Sequence, residues 1–131
     1  MFHFIIDLII LLAAGYLLGH ERQKSHGLVG VRSVTLIMLG AFVFSYISTK
    51  IGGDPARVVA QVVPGVGFIG AGLMIKRDSD KVANITTAIL IWCLASLGCL
   101  IGLNFIVESL ILTIVIYCIL KYYKNLFNNE N

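Results

Sequence analysis

Residues 62–75 read VVPGVGFIGAGLMI, and Gly65, Gly67 and Gly70 stand in the G-x-G-x-x-G spacing of a dinucleotide-binding turn. That chemistry needs a strand ending in a glycine turn and a solvent-facing helix N-terminus, with an acidic residue about 20 positions later. Here Pro64 directly precedes the first glycine, residues 58–75 carry no charge, and nothing C-terminal reads as a second strand. A P-loop fails too: Ile75 stands where glycine is required, and Lys76 is followed by Arg77 rather than Ser or Thr. The run has the length of a membrane-crossing helix instead. Its glycines suit close helix packing or a bent helix lining a cavity, with Pro64 freeing the carbonyl of Ala60 and kinking the chain.

The rest of the sequence has the same character. Of the 131 residues 58% are hydrophobic and 13% charged, against roughly 25% charged in soluble domains. A mean hydropathy of +0.92 leaves too little polar surface to coat a soluble fold. The net charge of +3 is small, and the basic residues are scattered between apolar runs, which excludes a nucleic-acid-binding stripe. Cys93, Cys99 and Cys118 all fall inside apolar segments and read as small hydrophobes rather than a disulfide or metal framework.

Apolar runs occur at residues 4–19, 33–48, 58–75, 85–102 and 105–120. Each spans about 24 to 27 Å as a helix, the short end of what crosses a hydrocarbon core. The expectation is an all-α polytopic bundle of about five spans, since only helices or closed barrels satisfy their backbone in lipid. The third span is kinked and glycine-rich. The link at Leu103 and Asn104 is short enough to force a hairpin between the last two spans. The first run lacks a basic n-region and a small-x-small cleavage pattern, so it reads as a retained span rather than a secretory signal. One transmembrane domain is expected over residues 1–125, then a short polar tail at 126–131 and no cytoplasmic C-terminal domain. No internal repeat of the kind found in many secondary transporters is visible.

With the N-terminus outside, eight of the ten lysines and arginines fall on cytoplasmic segments, leaving only Lys50 and Arg57 outside. That is a positive-inside distribution. Tyr122 and Tyr123 then sit at the cytoplasmic interface and Tyr46 near the external one.

Ionisable residues within spans are costly, so their positions carry information. Asp54 and Pro55 have the chemistry of an N-cap and first helical residue for the third span. Arg57, Gln61, Gly65, Phe68 and Gly72 share one face of that helix, a polar entrance above a glycine floor. Asp7, Leu11, Ala14, Leu18 and Glu21 share one face of the first span. Asp7 and Arg57 lie at similar depth, and a charge pair between them would make both tolerable, whether it only fixes packing or lines a pathway. Asp7, Asp54 and Glu108 could also form an oxygen-ligand cluster suited to magnesium, or Glu108 could simply reach the interface. Gly15 with Gly19, and Gly98 with Gly102, are small-xxx-small pairs for close contacts within or between subunits. They point to a homo-oligomer.

At the opposite end, His20, Glu21, Arg22, Gln23 and Arg32 face Asn84, Thr86 and Thr87. Asn84 has the chemistry of a cap for the fourth span, and the threonines that of bonds across to neighbours. HERQK is not a zinc-protease motif, because Lys24 replaces the second histidine, and no nucleophile has a base at useful spacing. No enzyme is expected. Trp92 lies too deep for the interfacial belt and reads as packing inside the bundle.

Taken in order, GHERQ, GVRS, DPARVVAQVVPGVGFIGAG and NITTAILIW resemble the MgtC/SapB family of bacterial inner-membrane proteins, over roughly residues 15–102. The resemblance makes Glu21, Arg22, Gln23, Arg32, Asp54, Pro55, Arg57, Gln61, Gly65, Gly67, Phe68, Gly70, Gly72, Asn84, Thr86, Thr87 and Trp92 the signature positions. Pro64 departs from the small residue usual there, Ser33 from threonine, and Val82 and Ala83 from glycine and leucine. Many relatives carry a cytoplasmic domain after the spans. The family implies an inner-membrane location and adaptation to low magnesium. It also implies survival inside host cells in pathogenic members and, in some, restraint of the F-type ATP synthase. The leading expectation is a non-enzymatic regulator acting through contacts with another membrane protein or its own copies, with no cofactor. The alternative is an ion or small-solute transporter for magnesium or protons, using the polar faces of spans one and three.

Overall fold

The computed structural model describes residues 2–24, 29–52, 54–76 and 82–127, those at 75–76, 82–83 and 123–127 by backbone alone. Five helices follow in order: α1 (Phe2–Lys24), α2 (Val31–Ser48), α3 (Pro55–Leu73), α4 (Ile85–Gly102) and α5 (Ile106–Phe127). Helices α1 to α4 are each long and apolar enough to cross a membrane, and α5 runs 22 residues beside them. The architecture is the expected all-α transmembrane bundle. One small addition is a two-residue antiparallel pair, β1 (Ile75–Lys76) with β2 (Val82–Ala83), which closes the connection between α3 and α4.

Local chemistry sets the helix ends. Asp54 caps α3 as its sequence implies, its Oδ1 accepting a 3.0 Å bond from the Ala56 N–H with Pro55 at the first helical position. The α4–α5 hairpin turns on Asn104, which adopts a left-handed φ of 67°. The Asn104 N–H donates to Ile101 O and the Phe105 N–H to Leu100 O, so the last turn of α4 keeps its carbonyls paired. Asn84, by contrast, does not cap α4. It too is left-handed, makes no capping bond, and its side-chain amide donates 3.1 Å back to Leu73 O at the end of α3. Those carbonyls lack an intrahelical partner.

α2 and α4 form the most extensive packed pair and the centre of the bundle. α1 lies against α2 and α5 on one flank, and α3 against α4 and α2 on the other. Glycines bring the central helices together. A Cβ on Gly98 would collide with Met38 O, and one on Gly102 would come within 2.6 Å of Phe42 O. The same device holds α1 on α2, with Gly15 against Thr35 and Gly19 against the Val31 backbone. Both small-residue pairs therefore serve contacts within the chain. Around them Leu11, Leu18, Met38, Phe42, Leu94 and Ile101 form a fully enclosed core. Lipid supplies no hydrophobic drive between helices, so the fold rests on this close packing. The outer faces are apolar too, as Ile9 and Leu12 on α1 and Ile111 and Ile114 on α5 show.

The expected facing of spans one and three is not formed. α2 and α4 stand between them.

Candidate functional site

Three polar places stand out in this apolar molecule. The first is at the end carrying the last turn of α1 and the first turn of α4. Arg22 Nη2 donates a 2.6 Å hydrogen bond to Thr87 Oγ1. Thr87 is buried, and the Arg22 Nε is buried with no hydrogen-bond partner among the described residues. Glu21 is half-buried before it, and the Gln23 side chain lies over Gly30. Asn84, one turn from Thr87, ties in α3 through Leu73 O. This polar knot therefore fastens three helices at one end. Of the residues expected there, His20, Arg32 and Thr86 are exposed and do not join it.

The second place is the outward face of α3. Only Gly70 among its nineteen residues is buried, lying against Ala88 of α4. A Cβ on Gly65, Gly67 or Gly72 would meet nothing within 4 Å. These glycines do not pack helices of one chain together, and only Gly70 behaves that way. Arg57, Gln61 and Phe68 are exposed on the same helix, Phe68 to 83%. The polar and glycine stripe thus exists as one face, but it points away from the bundle. Its edge continues into a groove of about 550 Å³ between α3 and α2, lined by Leu36, Gly40, Phe44, Gln61, Gly65 and Ile69. On the other flank Trp92 is 49% exposed and borders a cleft with Val59, Val63 and Leu103. It sits at the surface beside α3 rather than inside the bundle, because α3 covers only part of α4.

The third place is Asp7. It is buried to 7% exposure on the core face of α1 and has no hydrogen-bond or ion-pair partner among the described residues. The pairing with Arg57 is therefore absent, since Arg57 lies on the exposed side of a helix on the opposite flank. Asp54 and Glu108 are exposed as well. Among the described residues no three His, Cys, Asp or Glu side chains converge, so Asp7, Asp54 and Glu108 are not brought together as a cluster.

The profile of the MgtC family covers residues 8–129. The chain belongs to the MgtC family. It is similar to Protein MgtC of Salmonella typhimurium (strain LT2), at 40% identity over 119 residues, 90% of this chain and 51% of that protein. It is equally similar to Protein MgtC of Brucella abortus (strain 2308), at 40% over 107 residues, 80% of this chain and 44% of that protein. The chain thus spans about half the length of the curated MgtC relatives it matches. No solved structure matches it.

Within this MgtC-type domain some polar positions gave no sequence signal. Ser45, Ser48, Ser109 and Thr113 are buried. Three of them spend their hydroxyls on their own helix: Ser48 donates to Ser45 O, Ser109 to Ile106 O and Thr113 to Ser109 O. Ser45 Oγ has no partner among the described residues. A hydroxyl three or four residues after an available carbonyl is common in apolar helices, so spacing alone does not distinguish the unpartnered one.

Proposed function

We propose that the protein is a non-enzymatic regulator of the bacterial inner membrane, acting through protein contacts inside the bilayer during magnesium limitation and related stress. The observation that carries this reading is the outward face of α3. A helix with exposed Gln61 and three glycines facing open space is poorly suited to lipid and well suited to another helix. The amide of Gln61 needs hydrogen-bond partners that hydrocarbon does not offer. MgtC-family membership supports the physiological setting, and the F-type ATP synthase is a partner that the family resemblance supplies. The lysine and arginine distribution supports an N-terminus outside and a C-terminus in the cytoplasm. No cofactor and no nucleic acid enter this reading.

A second reading, transport of magnesium or protons, is favoured by one observation: the buried Asp7, which has no partner among the described residues. Intramembrane carboxylates mark ion pathways in many transporters. The proposed route between spans one and three has no counterpart inside one chain, which weighs against it.

Complementation of a deletion strain at limiting magnesium tests the contact reading. Gln61→Leu and Phe68→Ala, at wild-type levels in the membrane, should fail to restore growth, while Ile114→Ala on the exposed face of α5 should restore it. Full complementation by both α3 variants would overturn the reading.

A further inference from the structure

We propose that the outward face of α3 pairs with the same face of a second copy of this chain, the two helices running parallel about a two-fold axis. This rests on the reading that the α3 face works by protein contact, and it names the partner.

The face is self-complementary in its chemistry. Two helices related by an axis along the membrane normal place each residue level with its own counterpart. Gln61 lies about 10 Å along the helix from the Asp54 cap, is exposed, and has no hydrogen-bond partner among the described residues. A carboxamide carries both donors and an acceptor, so two Gln61 side chains satisfy each other across the axis. A lone lipid tail does not do this. One turn nearer the helix start, Arg57 and Asp54 are both exposed and three residues apart. Asp54 uses Oδ1 for its cap, leaving Oδ2 to accept from Arg57 of the second copy. Like charges are thereby interleaved with opposite ones at the end of the helix pair.

Shape agrees with charge. Phe68 projects further into open space than any other large apolar side chain in α3. Gly65 and Gly72, three residues before it and four after, leave bare backbone on the same face. In a parallel pair each ring lies over the bare turns of the other helix, a knob against a hole with small walls. The small residues that hold α2 on α4 do the same work inside the chain, so the bundle already uses this form of packing.

Disulfide trapping of the full chain in native membranes tests the pairing. The native thiols provide an internal control, since Cys99 is buried and Cys93 and Cys118 are half-buried. Under mild oxidation Phe68→Cys and Gln61→Cys should each give a band at twice the 14.3 kDa chain mass. Val63→Cys, on the α4 side of the same helix, and Ile114→Cys, on α5, should stay monomeric. In nanodiscs, Gln61→Leu should weaken dimerisation roughly three- to fifteen-fold, the usual range for an interhelical polar contact in lipid. Equal trapping at all four positions, or none at 61 and 68 with a monomeric wild type, would overturn the proposal. So would cross-links from 61 and 68 to a different protein without self-dimers, or a monomer carrying bound lipid. If self-trapping fails while the α3 variants still fail to restore growth at limiting magnesium, the contact reading survives and only the second copy is eliminated.

Discussion

Arg22 on the last turn of α1 and Thr87 on the first turn of α4 are joined by a 2.6 Å hydrogen bond, although 65 residues separate them. The bond ties the first span to α4, because α1 otherwise packs chiefly on α2 and α5. Arg22→Ala and Thr87→Val should each lower stability by about 1.5–3 kcal/mol, the range for a hydrogen bond to a charged group. The double variant should cost less than the sum, because each single change already removes the bond. Unfolding in mild detergent would measure it. Additive losses would show that the two side chains do not act together. Arg22→Lys should not restore wild-type stability, because an ammonium lacks the planar fork.

The glycines divide into two kinds, and stability separates them. Gly98→Ala and Gly102→Ala drive a methyl into the α2 backbone at Met38 and Phe42 and should each cost about 1–3 kcal/mol. Gly65→Ala and Gly72→Ala meet open space and should leave the stability of the monomer unchanged or raise it, by up to about 1 kcal/mol from helix propensity. Thermal unfolding of monomeric protein in detergent distinguishes the two sets.

Asp7 and Arg57 lie on opposite flanks of the bundle, so they should behave independently within one chain. In a double-mutant cycle of Asp7→Asn and Arg57→Gln, the stability changes should add to within about 0.5 kcal/mol. Removal of Arg57 that rescues Asp7→Asn would restore the charge pair that this structure lacks.

How far the sequence is legible depends on which side of each helix carries the signal. The five helices, the hairpin at Asn104, the Asp54 cap and the stripe from Asp7 to Leu18 follow from local chemistry and periodicity, and all are present. Direction is another matter. A helical period shows that Arg57, Gln61, Gly65, Phe68 and Gly72 share a face, but in lipid both the inside and the outside of a bundle are apolar. The usual rule that polar faces look outward to water has no force there. The stripe reads as helix packing or a cavity lining and Trp92 as core, and nothing in the helical period separates these from an outer contact face and a surface position. Asn84 shows a different limit. Its capping chemistry is real, but the unpaired carbonyl at Leu73 competes for the same amide, and only the approach of α3 to α4 decides the outcome.

The end of the bundle that carries Ile51 should face outward and the end that carries Lys121 inward. Both residues are exposed, so cysteines at these positions report without disturbing the core. In intact cells an impermeant thiol reagent should label Ile51→Cys and spare Lys121→Cys. The reverse pattern would invert the orientation that the basic residues support.

Regulation through the α3 face, and not ion carriage, is the centre of this account. The purified chain in liposomes, assayed for magnesium and proton flux with gradients imposed in both directions, tests it most directly. The account predicts flux no greater than that of empty liposomes, for wild type and for Asp7→Asn alike. Saturable flux in the wild type that disappears in Asp7→Asn would contradict it, and would make the buried carboxylate of α1 the working residue.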